Sequence, residues 1–175
     1  MKKRYDFLTE MIQKHKFKFG AEVGTGTGKT AMEILDANRE LHLVEVAWYP
    51  GPAALPKDAV MYCTCQQAKA LWLRRMSKKK FKERITILPY PSHKAAKKVD
   101  DESLDFVFID ADHSYEECLR DITLWVPKVK KGGLISGHDY GDERFPGVIE
   151  AVHEFFGKEN IKTAPDKVWY IWKTG

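Results

Sequence analysis

The sequence has few cysteines and no long hydrophobic run. Its three cysteines, Cys63, Cys65 and Cys118, are odd in number and lack a C-x-x-C spacing, which argues against a disulfide framework or a zinc site. No window approaches the roughly 18 apolar residues of a membrane span. The segment Met1–Asp6 also lacks the apolar core of a signal peptide. We therefore expect a cytoplasmic protein with reduced thiols and no membrane association.

The chain also lacks internal repeats, low-complexity tracts and a recognisable linker. Its 175 residues contain 43% hydrophobic and 31% charged residues, which is ordinary for a globular protein. A chain of this length suits one well-buried domain. We predict a single domain over residues 1–175.

Strand and helix patterns alternate along the chain. The predicted strands are Phe19–Val23, Leu41–Val46, Ile85–Leu88, Leu104–Ile109, Leu134–Ser136, Ile161–Thr163 and Val168–Trp172. The predicted helices are Met1–Phe17, Thr30–Asn38, Cys65–Lys80, Ser92–Val99, Tyr115–Val126 and Val148–Phe156. In the third of these helices, Ala68, Leu71, Trp72 and Met76 are predicted to face the core. Residues Ala47–Asp58 are predicted to form a loop. The last two strands are too close for a parallel crossover. This order predicts an α/β fold: one Rossmann-like, doubly wound, mostly parallel sheet with an antiparallel C-terminal strand and helices on both faces.

A glycine-rich turn follows the first predicted strand. Its sequence, Glu22-Val23-Gly24-Thr25-Gly26-Thr27-Gly28, places a glycine at every second position before a helix. Glycines let the backbone approach a ligand closely, and the helix N-terminus offers free N–H groups. An acid two residues before the first glycine suits a ligand with an ammonium group. The charges therefore favour S-adenosylmethionine over a nucleotide.

Counting residues tests two other interpretations of this turn. A P-loop ending in Gly28-Lys29-Thr30 would require its first glycine at position 23, which is Val23. The dinucleotide fingerprint would require its third glycine at position 29, which is Lys29. Both patterns fail by one residue, while a glycine turn without a ligand remains the structural alternative.

Further polar residues follow the second and third predicted strands. Glu45 lies 21 positions after Gly24, close to the spacing of an acid that accepts hydrogen bonds from ribose hydroxyls. Its alternative is a solvated strand-end glutamate. Ser92 and His93 follow the third strand and are predicted to border an adenine, although Ser92 is also a suitable helix cap.

A second group of polar residues follows the fourth and fifth predicted strands. Asp110 and His113 follow the fourth strand, and His138 and Asp139 follow the fifth. Ligands of such sheets bind at the carboxyl ends of the strands, so we expect these four side chains to converge. Carboxylates and imidazoles together suit a divalent cation or general base catalysis. The structural alternatives are a helix-capping Asp112 and a His138 packed in the interior.

Two segments carry a resemblance to a known family. Residues 108–116 (FIDADHSYE) and 132–140 (GGLISGHDY), followed by Phe145-Pro146-Gly147-Val148 and Trp169-Tyr170-Ile171, resemble class I S-adenosylmethionine-dependent methyltransferases. More narrowly, they resemble small-molecule and sugar O-methyltransferases of the macrocin O-methyltransferase type. The resemblance extends over nearly the whole chain. The macrocin-type family is in turn related to the metal-dependent catechol-type O-methyltransferases.

This resemblance implies a set of site residues. The implied cofactor-binding residues are Glu22, Gly24, Thr25, Gly26, Gly28, Glu45, Ser92, His93 and Asp110; the implied metal ligands are Asp110, His138 and Asp139; and the implied catalytic residues are His113, Asp110 and His138. His113 lies where the catechol-type enzymes carry a lysine base. A histidine at a ligand position departs from the family pattern, so dependence on Mg²⁺ or Mn²⁺ stays open.

The acceptor is the least determined feature. The resemblance implies that the methyl acceptor is a hydroxyl group of a small molecule or sugar. Whether the protein forms a homo-oligomer is left open. A cluster of basic residues supports an alternative function, methylation of an RNA ribose or cap, because such clusters can bind phosphate backbones. The basic cluster comprises Arg74, Arg75, Lys78, Lys79, Lys80, Lys82 and Arg84, joined by Lys94, Lys97, Lys98, Lys128, Lys130 and Lys131. The net charge of only +4 favours a solvated helix face instead. A non-catalytic module that binds S-adenosylmethionine is a third interpretation.

Overall fold

The fold alternates helices and strands, as the sequence pattern predicts. The structure is a computed structural model that describes residues 1–49 and 59–174; for residues 59–64 it describes the backbone alone. The helices are α1 Arg4–His15, α2 Lys29–Ala37, α3 Ala59–Met76, α4 Ser92–Ala95, α5 Tyr115–Trp125 and α6 Pro146–Phe156. The strands are β1 Phe19–Val23, β2 His42–Val46, β3 Ile85–Leu88, β4 Leu104–Ile109, β5 Val129–Gly137, β6 Lys162–Ala164 and β7 Val168–Trp172.

All seven described strands form one sheet, in the order β3-β2-β1-β4-β5-β7-β6. The pairs β1–β2, β1–β4, β2–β3 and β4–β5 are parallel. Strand β7 runs antiparallel between β5 and β6. The predicted mostly parallel sheet with its antiparallel C-terminal strand is confirmed.

The sheet buries apolar residues on both faces. On one face the strands pack against Ile122 and Trp125 of α5 and Val152 of α6. On the other face they pack against Leu8 of α1 and Ile34 of α2. Because helices cover both faces of the central strand β4, its sequence Leu-Asp-Phe-Val-Phe-Ile is apolar on nearly every residue.

The parallel register aligns the strand ends that precede the predicted site. Val23 of β1 pairs with Val46 of β2 and with Ile109 of β4, and Ile109 pairs with Gly137 of β5. The next residues along each strand therefore emerge at one edge of the sheet. This edge receives the glycine turn and both groups of polar residues.

Some predicted boundaries and core positions differ from the structure. Strand β5 begins at Val129 rather than Leu134, and α3 begins at Ala59 rather than Cys65. Within α3, Trp72 and Met76 are buried as predicted, but Leu71 is 41% exposed. The predicted loop from Ala47 to Asp58 lies outside the described residues from position 50 onward.

Two of the three cysteines have described side chains. Cys65 and Cys118 are free thiols, and Cys118 is buried on α5. The side chain of Cys63 lies outside the described part of the chain.

Candidate active site

The glycine turn between β1 and α2 has three glycines with positive φ. These angles are +91° at Gly24, +46° at Gly26 and +70° at Gly28. A Cβ atom on Gly24 would lie 2.2 Å from the carbonyl oxygen of Asp110, and one on Gly28 would lie 2.8 Å from the Trp72 ring. At Gly26 a Cβ would meet no atom of the described residues within 4 Å. The outer glycines thus permit close packing, while the middle glycine borders open space.

Two carboxyl groups, Glu22 and Glu45, lie side by side below this turn. They occupy paired register positions of β1 and β2 and are 2% and 0% exposed. Glu45 accepts a hydrogen bond from Trp72 Nε1 at 3.3 Å. Burial raises the pKa of Glu45 to about 8. Burial, followed by the charge of Glu45, also raises the pKa of Glu22 well above its ordinary value. Protons on this pair therefore reduce the cost of burying two like charges.

Each carboxyl group has one buried oxygen that no N–H group of the described residues reaches. Glu22 Oε2 and Glu45 Oε1 accept no hydrogen bond from other described residues, and a hydrogen bond between the two carboxyls forms while Glu22 is protonated. Buried acceptors of this kind are rare unless a ligand or water completes them. Together with the open space at Gly26, they fit a ligand that brings a positive charge and hydroxyl donors.

Tyr49 covers the glycine turn, a contact that the sequence did not predict. Its hydroxyl donates to the carbonyl oxygen of Gly26 at 2.5 Å and lies 3.0 Å from Thr25 Oγ1. Thr25 is 6% exposed, and neighbouring Trp48 is 48% exposed. Tyr49 therefore packs on the turn, whereas Trp48 projects into solvent.

Ser92 and His93 begin α4, as predicted, and both are half-buried. Ser92 Oγ accepts a hydrogen bond from Trp125 Nε1 at 2.8 Å, and the Asp121 carboxyl also bonds to this hydroxyl. The hydroxyl makes no capping hydrogen bond to α4. Its observed partners lie on α5, so bordering an adenine stays a prediction.

The four polar residues after β4 and β5 converge. Nε2 of His113 lies 2.8 Å from Asp139 Oδ2 and 3.8 Å from Asp110 Oδ1. Nδ1 of His138 lies 3.0 Å from Asp139 Oδ1 and 3.7 Å from Asp110 Oδ1. The predicted juxtaposition of these side chains is observed. The contact between Gly24 and Asp110 further joins this Asp–His cluster (Asp110, His113, His138 and Asp139) to the glycine turn.

The charges of the Asp–His cluster shift its protonation. Contacts with Asp110 and Asp139 raise the pKa of His113 to about 9. Burial alone would raise the pKa of Asp139, but its contacts with His113 and His138 outweigh burial and hold that pKa well below its usual range. His113 is therefore a cation at neutral pH, and Asp139 is an anion.

The imidazole contacts in the cluster are close but poorly oriented for hydrogen bonding. Nε2 of His113 and both ring nitrogens of His138 are buried without a well-oriented hydrogen-bond partner among the described residues. These buried nitrogens leave hydrogen-bonding capacity for a ligand.

Two neighbours fix the loop that carries His113. The ring of Phe145 stacks on the His113 ring, with centroids 4.1 Å apart and planes 22° from parallel. A Cβ on Gly147 would lie 3.0 Å from the His113 carbonyl oxygen, so only a glycine lets α6 approach this closely. Asp112 Oδ1 accepts from Ser114 N at 2.8 Å, a structural role just before α5.

Arg4 and Asp166 also belong to this site, although the sequence analysis missed both. Nη1 of Arg4 on α1 lies 2.9 Å from Asp110 Oδ2. The main-chain N–H of Arg4 donates to Asp166 Oδ2 at 3.1 Å, and His138 Nε2 lies 3.9 Å from the same oxygen. The contacts of Arg4 join residues 106 and 162 positions apart in the sequence. The only sequence signal was a basic residue at the start of a leading helix.

One compact set of potential metal donors is present among the described residues. It consists of one atom each from Asp110, His113 and Asp139, all within 4.8 Å of one another. The set predicted from the resemblance had His138 in place of His113. The three metal-ligand roles stay predictions.

A family comparison accounts for this arrangement. The sequence model described as a methyltransferase domain matches residues 21–140, which include the glycine turn, Glu45 and the Asp–His cluster. The chain belongs to this methyltransferase family. The predictions of a class I methyltransferase fold and of a methyltransferase enzyme are therefore confirmed.

Solved structures share the fold of this methyltransferase at low sequence identity. A protein proposed to be a caffeoyl-CoA O-methyltransferase, from Staphylococcus aureus, is 14% identical with a TM-score of 0.71; the match covers 100% of this chain and 85% of that one. The O-methyltransferase TomG from Streptomyces achromogenes, involved in tomaymycin synthesis and solved with S-adenosylmethionine, is 13% identical with a TM-score of 0.70; the match covers 98% and 80%.

One curated relative matches a short part of the methyltransferase. This uncharacterised protein, R132 of Acanthamoeba polyphaga mimivirus, is 42% identical over 52 residues. The match spans 29% of the methyltransferase and 24% of the relative, so it says little about either whole protein.

The basic cluster of the methyltransferase is partly structural. Arg75 donates to the carbonyl oxygen of Thr27 at 2.7 Å, and Lys80 pairs with Asp36. Arg84 donates to carbonyl oxygens at and beyond the end of α2 at 3.1 and 3.0 Å. These cations stabilise loop and helix ends, which weakens the nucleic-acid interpretation. In the described ranges, no helix has the length and apolar character that crossing a membrane requires.

Proposed function

We propose that this methyltransferase transfers a methyl group from S-adenosylmethionine to a hydroxyl oxygen of a small molecule or sugar. One observation carries the proposal: the first glycine of the turn packs against the backbone of Asp110. This contact would bring the residues proposed to hold a cationic, hydroxylated cofactor directly beside a cluster of carboxylates and imidazoles. The residues proposed to bind the methyl donor and those proposed to activate the acceptor would thus lie side by side at one edge of the sheet.

On the cofactor side, the residues would act by charge and hydrogen bonding. Bound S-adenosylmethionine supplies an electrophilic methyl group on a sulfonium. The free oxygen of Glu45 would accept hydrogen bonds from ribose hydroxyls, and Glu22 would face the ammonium group. The open space at Gly26 would admit the methionine part.

On the acceptor side, the cluster would take up the hydroxyl proton. His113 is a poor candidate in the free protein, because its raised pKa keeps it protonated. We favour His138, whose ring lies 3.0 Å from Asp139 and 3.9 Å from Asp166. Asp139 and Asp166 would hold this ring in position while it accepts the proton. The role of His113 as the base stays a prediction, and as a cation it would stabilise developing negative charge on oxygen.

Metal assistance does not fit the present arrangement of side chains. Arg4 already pairs with Asp110 at 2.9 Å, and His113 with Asp139 at 2.8 Å. A divalent cation would add positive charge beside a guanidinium that stays protonated in proteins. Metal dependence stays a prediction that these contacts do not favour. The acid–base roles given above require no metal.

The choice of oxygen and of a small acceptor rests on sequence and likeness. The signature of many amino-methyltransferases, Asn or Asp followed by Pro-Pro and an aromatic residue, is lacking, since Ala111 follows Asp110. The structural neighbours named above are described as O-methyltransferases. An RNA acceptor has less support, because three of the clustered cations bind the protein itself.

Calorimetric titration with S-adenosylmethionine and with its demethylated product tests the cofactor. We expect both to bind, and Glu45→Gln to weaken binding roughly 10- to 100-fold by replacing one of the two carboxylate acceptors of the ribose hydroxyls with an NH₂ donor. Glu40→Gln is the matched control, because Glu40 lies before β2 at the opposite end of the strand. Failure of the wild-type protein to bind either compound would refute the proposed cofactor.

An acceptor screen tests the reaction. Hydroxylated aromatics, sugars and short RNAs are incubated with the enzyme, and release of the demethylated cofactor is measured. With the best acceptor, we expect His138→Ala to lower kcat by roughly 100-fold or more and His42→Ala, on the exposed amino end of β2, to leave it unchanged. Methyl groups found on nitrogen would contradict the hydroxyl assignment. Cofactor binding without transfer to any acceptor would favour a non-catalytic module.

A further inference from the structure

The start of α1 is fastened to the Asp–His cluster by two carboxylates. The Arg4 side chain reaches Asp110 Oδ2 at 2.9 Å, while its main-chain N–H donates to Asp166. The neighbouring Lys3 contacts Asp166 Oδ1 at 3.5 Å and does not contact Asp110. The Arg4 and Asp110 side chains are 31% and 17% exposed, so their ion pair is largely shielded from water.

Asp110 is surrounded by cations of the protein itself. Its Oδ2 faces Arg4, and its Oδ1 faces the rings of His113 and His138 at 3.8 and 3.7 Å. A guanidinium stays charged over the whole accessible pH range and binds carboxylates at fixed geometry. A divalent cation on the donor set of Asp110, His113 and Asp139 would therefore share the Asp110 carboxylate with a permanent positive charge.

We propose that Arg4 is the resident cation of this site: it positions Asp110 and takes the charge-balancing place that the family resemblance gives to a divalent metal. This inference rests on the proposed O-methyl transfer. The guanidinium holds the Asp110 carboxylate in place, with its second oxygen directed at the two imidazoles. Its remaining N–H groups are donors for an acceptor oxygen. Methyl transfer by this enzyme then proceeds without a divalent cation.

Manganese binding to the free protein tests the inference independently of activity. Electron paramagnetic resonance measures the fraction of Mn²⁺ bound to the wild type, Arg4→Lys, Arg4→Gln and the double variant Arg4→Gln/Asp139→Asn. We expect weak binding to the wild type and to Arg4→Lys, and roughly ten-fold or tighter binding to Arg4→Gln once the repulsion is removed. The double variant should lose this gain. Lys3→Gln is the matched control, since it removes one charge from the same segment without touching Asp110.

A second arm measures turnover of the best acceptor with chelator and with added Mn²⁺. The wild type should keep its kcat in both conditions, and Arg4→Gln should lose most of it while Arg4→Lys retains a larger share. Tight Mn²⁺ binding by the wild type that Arg4→Gln does not improve would overturn the inference, as would loss of wild-type turnover in chelator.

Titration of the same variants with the demethylated cofactor separates this inference from the proposed function. A wild type that binds cofactor but also binds Mn²⁺ tightly would refute the role of Arg4 alone. A wild type that binds no cofactor would refute the proposed function, whatever the Mn²⁺ result.

Discussion

At the scale of single residues, the buried pair of Glu22 and Glu45 links cofactor binding to pH. Both carboxyls have raised pKa values, about 8 for Glu45, mainly because burial disfavours the charged form. After burial and the neighbouring Glu45, the charge of Asp110 raises the pKa of Glu22 further, and the charge of Arg4 opposes that rise. Trp72 Nε1 stabilises the ionised form of Glu45. A cationic ligand should bind the ionised pair, so its binding should release protons near neutral pH.

We predict that S-adenosylmethionine binds more tightly as the pH rises from about 6 to about 8, by up to about ten-fold per pH unit. The sign follows from the raised pKa values: below them the free pair is protonated, and protons compete with the ligand. Titration calorimetry at several pH values, in buffers of different ionisation enthalpy, measures both affinity and proton release. Glu45→Gln should flatten the dependence. An affinity that is independent of pH, with no proton released, would contradict this linkage.

A second buried acid, Asp121, lies outside the proposed chemistry. It is 3% exposed on α5, and burial raises its pKa to about 6, while a hydrogen bond with Ser92 partly opposes the rise. Its folded pKa thus exceeds the ordinary value of about 3.9. The folded state binds this proton more tightly than the unfolded state, so stability should decline as the pH rises from about 4 to about 6.

We predict that Asp121→Asn raises the free energy of unfolding at pH 7.5 by about 1–3 kcal/mol and has little effect near pH 4. Asparagine keeps the size and a hydrogen bond but removes the buried charge. Urea denaturation at both pH values measures the difference. Glu116→Gln, an exposed position on the same helix, is the control. Equal destabilisation at both pH values would show that the hydrogen bond with Ser92 outweighs the charge.

At the scale of secondary-structure elements, apolar patterning located the strands but not every irregularity. Strands β1, β3, β4 and β7 have their predicted bounds because each is a short apolar run between breakers. The fifth strand was predicted to start at Leu134, but β5 begins at Val129 and continues through Gly132 and Gly133. The register of β5 against β4 shifts between Leu104 and Phe106, and Gly132 has φ of +75°. Main-chain hydrogen bonds between these two glycines and Lys173, which follows β7, extend the strand through this irregularity.

The residues of the candidate site likewise fall into those that the sequence predicted and those that it did not. Strand order predicted that Asp110, His138 and Asp139 would meet, because parallel strand ends share one edge. It did not predict Arg4, since docking of α1 is a tertiary contact without a spacing rule. Tyr49 was visible as an aromatic residue, but its bond to the glycine turn depends on the path of the loop. Residues on the strand ends were therefore predictable, and residues brought by helices and loops were not.

The turn between β1 and α2 offers a test of cofactor binding with a matched control. Gly26→Ala and Gly132→Ala both place a side chain at positive φ in open space. Each should destabilise the fold by about 1–2 kcal/mol through backbone strain. We predict that only Gly26→Ala also abolishes titratable binding of the demethylated cofactor, because its Cβ enters the proposed pocket. Equal cofactor affinity in both variants would place the ligand elsewhere.

At the scale of the whole molecule, the sheet carries two separate cores and a single polar edge. Among the described residues, the core with α5 and α6 and the core with α1 and α2 form two separate clusters on the two faces of the sheet. The glycine turn, Glu22 and Glu45, and the Asp–His cluster all lie at the carboxyl ends of the central strands. A ligand at this edge contacts loops from both faces. Its binding energy should therefore stabilise the domain as a unit rather than one helix layer.

Thermal unfolding with the demethylated cofactor measures this coupling. A ligand that binds only the folded state at about 100 times its dissociation constant adds about 2.7 kcal/mol of stability. For a domain of this length, about 1 kcal/mol shifts the Tm by about 2–4 °C. We thus predict a rise in Tm of about 5–10 °C for the wild type and for Gly132→Ala, each relative to its own ligand-free Tm, and none for Gly26→Ala. Calorimetry should show one transition that moves as a whole, because the site draws on both layers; a transition that splits, with one part unmoved, would mean that the ligand stabilises one face alone.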